Sequence, residues 1–205
     1  MLLVAVVVGI ALGVFSILAD GIIPGRLFTL LGNITAPWAV AAFVVGYRAT
    51  SPRQGAIAGT LALGVGVATY YAGTAVRGYV TGELNVVWTV VALVAGPVVG
   101  ACGAAISTRR EHPPLVAVVL PGAMLVAEGL FLVYDRKFWR MNFGAEPYRL
   151  IDVGVALALV VGGFVLTWVF VERGRRLPAL LGVAGVGVVG AFGFVLLERI
   201  IVALV

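Results

Sequence analysis

Seven apolar runs, near residues 1–19, 36–47, 54–75, 86–106, 115–134, 151–171 and 179–197, take up most of the chain, separated by short breaks that carry charge, proline or glycine. All but the second are 19 residues or longer, and about 20 apolar residues suffice to cross the ~30 Å hydrocarbon core of a bilayer. A chain of 205 residues divided in this way has no room for a separate soluble catalytic or nucleic-acid-binding domain. The expectation is one integral membrane domain over 1–205, an all-α bundle of about seven crossings, or six if the second run does not span. Lipid offers no partner for free backbone groups, so the crossings must be helices, and the alternating pattern of a lipid-facing barrel is missing. Composition agrees: 62% of residues are hydrophobic, 11% are charged, and the mean hydropathy is +1.14. The surface of a water-soluble fold needs far more polarity.

The second run is too short at 12 residues. Adding Leu27 to Leu31 completes a crossing over 27–47 that is interrupted by Gly32, Asn33 and Pro37. Proline lacks an amide donor and clashes with the preceding turn, and such breaks persist at membrane depth only where protein or a water-filled cavity satisfies the freed groups. The expected element is a discontinuous crossing broken between Gly32 and Pro37.

The net charge of +5 does not point to nucleic acid, because the basic residues fall in connections between apolar runs. The connections 48–53, 107–114 and 172–178 hold seven arginines in 21 residues, and the opposite ones, 20–35, 76–85 and 135–150, hold six basic residues in 42. Arginine-rich connections face the cytoplasm, which places the N-terminus inside and the C-terminus outside the cell membrane. No Lys or Arg precedes the first apolar run, so it reads as a retained helix rather than a cleaved signal. The 28 glycines with abundant Ala and Val suggest a high-GC bacterial genome.

Signals for helix packing are plentiful. Gly9 and Gly13, Gly55 and Gly59, and Gly96 and Gly100 each put two small residues on one helix face, and Gly187 and Ala191 do the same. Such faces allow close backbone approach. With Ala5, the pair Gly9 and Gly13 forms a small-residue stripe on the first helix, open to two readings: contact within the chain, or docking to a membrane partner subunit or a second copy. Trp38 to Gly46 also aligns with Trp88 to Gly96 at equal spacing, with Asn33 and Asn85 ahead of each, which reads equally as a duplicated hairpin or as chance similarity in a chain rich in Val, Ala and Gly.

Signals for chemistry are few. His112 and Cys102 are single residues of their kind, which excludes a disulfide and any metal site built from several His or Cys ligands within the chain. Nucleophile-elbow and P-loop patterns do not occur. The expectation is a protein that is not an enzyme and carries no cofactor or metal. What stands out is Glu128, about 9 Å inside the end of the fifth long run at 1.5 Å per residue, since an intramembrane carboxylate costs ~2.5 kcal/mol or more unless neutral, paired or hydrated. It reads equally as a functional group or as a structural one. Asp20, Asn33, Trp38, Tyr70, Tyr71, Trp88, Asp152 and Glu198 fall at the same end of their crossings, while the opposite half is nearly all Ala, Val, Leu and Gly. An aromatic belt explains the tyrosines and tryptophans but not Glu128 or the break. The asymmetry favours an externally open cavity with Glu128, Trp88, Tyr70, Tyr71, Asn33 and Trp38 as candidate ligand-binding residues.

Ala36-Pro37-Trp38 with Gly46, Tyr70-Tyr71, Gly96-Pro97 with Gly100, and Ala127-Glu128-Gly129 resemble the segments of an uncharacterised family of actinobacterial integral membrane proteins, a domain of unknown function. In architecture the chain is similar to the substrate-binding membrane subunits of energy-coupling-factor transporters, which implies docking through Ala5, Gly9 and Gly13. Two functions follow as expectations: a small-solute-binding or transport subunit whose ligand is a small cationic or polar solute, or a non-catalytic structural or assembly protein acting through helix contacts with a partner. The remaining partner is the lipid bilayer.

Overall fold

The computed structural model describes residues 1–20, 22–78, 82–108, 112–135 and 146–204. Arg109, Arg110, Arg136, Lys137 and Arg140, and the side chains of Arg149 and Glu198, lie outside the described residues. The described residues form helices α1 (Leu2–Ala19), α2 (Arg26–Asn33), α3 (Ala36–Tyr47), α4 (Pro52–Val76), α5 (Gly82–Thr108), α6 (Leu115–Asp135), α7 (Glu146–Phe170) and α8 (Arg176–Leu204), with a 3-10 turn at Arg173–Arg175 and no strand. Six of these helices are long and apolar enough to cross a membrane; α2 and α3, bent by 58° at their junction, pass the same test together and make a seventh crossing if the pair is one span rather than a re-entrant loop. The expected discontinuity thus falls at Ile34–Thr35, inside the interval from Gly32 to Pro37.

The crossings pack as two groups. In the first, α4 lies against α1, α3 and α5, and α3 against α5; in the second, α6 lies between α7 and α8. The groups meet where α6 touches α5 and α3 and where α2 touches α7. Bilayer lipid is as apolar as leucine, so association depends on close van der Waals fit rather than on a hydrophobic drive. The glycines supply that fit. Gly46 of α3 and Gly55 and Gly59 of α4 converge on Gly100 of α5, where a Cβ would overlap the Gly55 carbonyl oxygen, and Gly96 meets the backbone of Thr60. In the second group Gly122 and Gly129 of α6 cross Gly163 and Ala156 of α7, while Gly187 and Gly190 of α8 seat Val126 and Ala127.

The stripe Ala5, Gly9, Gly13 is buried against α4: a Cβ at Gly9 would meet the Ala62 carbonyl and one at Gly13 would meet Thr69. Of the two readings of the stripe, contact within the chain is the one this geometry supports. Two glycines let α1 approach the α4 backbone, and that contact consumes the stripe within the chain.

At one end of the bundle, Ser107 Oγ donates to the Ala49 carbonyl and Arg175 Nη1 to the Pro113 carbonyl, so the α3–α4 connection and the residues flanking α5–α6 and α7–α8 gather together. His112 Nδ1 lies 2.6 Å from Glu172 Oε1, an exposed pair that ties the last two of these connections. We refer to it as the arginine-loop end and to the other as the Asp20 end.

Overpacking a tight contact costs about 1–3 kcal/mol. Gly100→Ala should therefore lower thermal stability in detergent by an amount in that range. Gly64→Ala, in the same bundle but with nothing within 4 Å of the added Cβ, should leave it unchanged or raise it by up to about 1 kcal/mol. Equal effects of the two substitutions would contradict the packing described.

Candidate functional site

The break between α2 and α3 begins with residues that do not continue a helix through their junction. Ile34 is extended (φ −100°, ψ 154°), and Thr35 precedes Ala36-Pro37, a threonine before an early-helix proline being a helix-start signal. Thr35 does not cap α3 through its own side chain. The cap comes from another helix: the Thr35 N–H donates to Glu128 Oε1 at 2.6 Å, and the Thr35 hydroxyl donates to Oε2 at 2.9 Å. The Ala36 N–H lies beside the same carboxylate. The first N–H groups of any helix lack intrahelical acceptors, and a negative charge is favourable at a helix N-terminus. Glu128, 3% exposed, supplies acceptor oxygens to this helix start from α6.

Beside the break lies a cavity of about 300 Å³. Asn33, Trp38, Tyr70, Tyr71 and Trp88 all line it, so five of the six residues singled out from sequence converge on one space. Glu128 is not among the lining residues; it stands behind Thr35, which is. Its position inside the bundle at the Asp20 end is as read from sequence. Its immediate partner is the broken backbone rather than Trp88 or the tyrosines.

Further lining comes from α1 (Ser16), from α4 and α5 (Leu63, Val67, Val91, Ala92, Ala95) and from the second group (Met124 and Phe194). Among the described residues no charged one occurs on this lining. Ser16 is 1% exposed and its hydroxyl makes no hydrogen bond within the described residues. Trp38 is seated by Gly66, where a Cβ would stand 2.8 Å from the indole, and Tyr70 and Tyr71 meet edge to face with centroids 5.2 Å apart.

Two polar clusters hold the rim. The Tyr70 hydroxyl donates to Asp20 Oδ2 at 2.8 Å and Asn33 Nδ2 to Asp20 Oδ1 at 3.5 Å, joining α4, α2 and the end of α1. Arg26 Nε and Nη2 donate to the two Asp152 oxygens at 2.8 and 2.6 Å, a bidentate pair that fixes the start of α2 to α7. Asp20 and Asp152 therefore act on the position of α2, the half-helix that carries part of the cavity wall.

Thr35, Ser16, Met124 and Phe194 were missed in the sequence. Thr35 carried a usable signal in its place before Ala36-Pro37; Met124 and Phe194 are apolar residues among apolar neighbours and carried none.

Fold and site together define a multi-pass helical membrane protein with a broken crossing and an aromatic-lined cavity at one end. The chain belongs to the family of unknown function DUF6518, which it matches over residues 1–203. No curated protein and no solved structure matches it.

A buried N–H left without its acceptor costs about 1–3 kcal/mol. Glu128→Ala should lower stability in detergent by at least that much, and Glu128→Gln, which keeps one acceptor oxygen for Thr35, by clearly less. Thermal unfolding of the two variants side by side checks this, and equal losses would contradict the capping role.

Proposed function

We propose that the protein is a non-enzymatic membrane protein that binds or transports a small molecule through the cavity at the Asp20 end, with that end facing outward from the cell membrane and the N-terminus in the cytoplasm. The observation that carries this reading is the convergence of Asn33, Trp38, Tyr70, Tyr71 and Trp88 on one space. Ligand sites are concave and mostly apolar, with a few placed polar groups and volumes from about 300 Å³ upward, and this cavity has that character. Selection rests on aromatic faces and hydroxyl and amide groups, since the nearby carboxylate is engaged by Thr35. The higher density of basic residues in the connections at the opposite end, seven in 21 residues against six in 42, supports the orientation.

A structural or assembly role is the second reading. It is favoured by the outward faces of α7 and α8, where Val169, Val189 and Phe192 are among the exposed apolar side chains; lipid or a partner helix would cover them equally well.

A thermal-shift screen of amines, neutral polar solutes and amphiphiles separates the readings. A ligand present at 100 times its Kd adds about 2.7 kcal/mol of stability. The binding reading expects at least one class to stabilise the wild type, with Trp88→Ala weakening its affinity at least tenfold and Glu128→Gln changing it little. If no class stabilises the wild type more than Trp88→Ala, the assembly reading replaces it.

A further inference from the structure

α6 is the helix most enclosed by its neighbours, yet its burial is interrupted along one line. From Ala117 to Gly129 every residue is buried except Leu120 and Met124. With Val116 (61% exposed) and the partly exposed Phe131 they fall on one helix face. α5 and α8 both pack on α6 but not along one another, so this face forms the floor of a groove between them. Met124 belongs to the groove floor and to the cavity lining alike, and Phe194 of α8 lines the cavity while stacking on Phe131 with centroids 5.5 Å apart. The cavity and the groove thus share Met124 and meet at Phe194.

Its polarity is graded along the bundle axis. Asn33, Thr35 and the two tyrosines lie toward the Asp20 end, whereas Leu63, Ala95, Met124 and the groove floor lie toward the middle of the crossings. A lipid in the leaflet at that end has the same arrangement, polar group at the interface and hydrocarbon toward the midplane. Among the described residues the lining offers hydrogen-bonding groups but no charge, and the carboxylates of Asp20 and Glu128 are already engaged by Tyr70 and Asn33 and by Thr35, so a charged head would lose its hydration for little return.

From this geometry we infer that the cavity's ligand is a single-chain amphiphile with a neutral hydrogen-bonding head, drawn from the bilayer through the groove between α5 and α8. The inference rests on the binding reading above and names its ligand class and route of entry. The head lies among Asn33, Tyr71 and Ser16, and the chain runs over Met124 and Leu120.

The test uses the full chain in nanodiscs, with Trp139 and Trp168 replaced by Phe so that Trp38 and Trp88 report. A monoacylglycerol brominated on its chain, a contact quencher of indole fluorescence, is titrated into the discs. Quenching should saturate at a small mole fraction. Ala95→Phe, which fills the cavity beside Met124, should shift the titration at least tenfold, and Val94→Phe, on the lipid-facing side of α5 (63% exposed), should not. Quenching that rises linearly without saturation in the wild type overturns the inference, and this holds whether or not Ala95→Phe folds. If brominated lipid fails but a water-soluble ligand from the thermal-shift screen shields the same tryptophans from acrylamide, the cavity fills from water and only the amphiphile inference falls. If neither probe distinguishes the wild type from Ala95→Phe, the binding reading falls with it.

Discussion

The carboxylate of Glu128 is the interaction on which the rest depends. A crossing that breaks at Ile34–Thr35 leaves backbone donors inside a membrane bundle, and unsatisfied groups there cost several kcal/mol each. One side chain from α6 accepts from the Thr35 N–H and from its hydroxyl. With those bonds made, α2 can turn 58° away from α3 and bring Gly32, Asn33 and Thr35 to the wall of a cavity that a continuous helix would have filled. The same bonds cross between the two packed groups, from α3 to α6, and so hold the cavity at their junction. An intramembrane acid is commonly read as a site of chemistry or ligand contact; here its first duty is architectural, and its functional effect passes through the wall it positions.

Small residues set the distances within each group. Gly46, Gly55, Gly59 and Gly100 bring three helices into backbone contact, which makes the arginine-loop half of the first group dense. Toward the Asp20 end the same helices carry Trp38, Tyr71 and Trp88 instead, and side chains of that size cannot close the bundle as glycine does. The cavity therefore follows from the gradient in residue size along the helices. The Arg26–Asp152 pair and the Asp20–Tyr70–Asn33 cluster then tie α2 over it.

Much of this was legible in the sequence because membrane insertion leaves few choices. Apolar runs bounded by charge gave the helices to within a few residues at most ends, and the shortfall of the second run, with Gly32 and Pro37, located the break. The convergence of Asn33, Trp38, Tyr70, Tyr71 and Trp88 followed from depth, since residues at equal depth in adjacent crossings meet when the crossings pack. What depth does not encode is direction around the helix axis. Glu128 has the right depth to face the cavity but points to Thr35, and the Ala5, Gly9, Gly13 stripe has the right composition for a partner surface but faces α4. The contribution of α8 through Phe194 was invisible for the same reason: nothing in an apolar helix of Val, Gly and Leu marks which face a neighbour takes. The seven-residue spacing of Gly122 with Gly129 and of Ala156 with Gly163 did mark the α6–α7 contact and is the one packing signal that could have been read further.

Glu128 satisfies the backbone at the break. Amide hydrogen exchange at Thr35, followed by NMR in detergent micelles or nanodiscs, tests it most directly, because a residue at this helix start has no intrahelical acceptor and owes its protection to the carboxylate. The Thr35 amide should be protected in the wild type and exchange freely in Glu128→Ala, while amides in the middle of α4 keep their protection in both. A Thr35 amide that exchanges freely in the wild type, or that stays protected once Glu128 is removed, would contradict it.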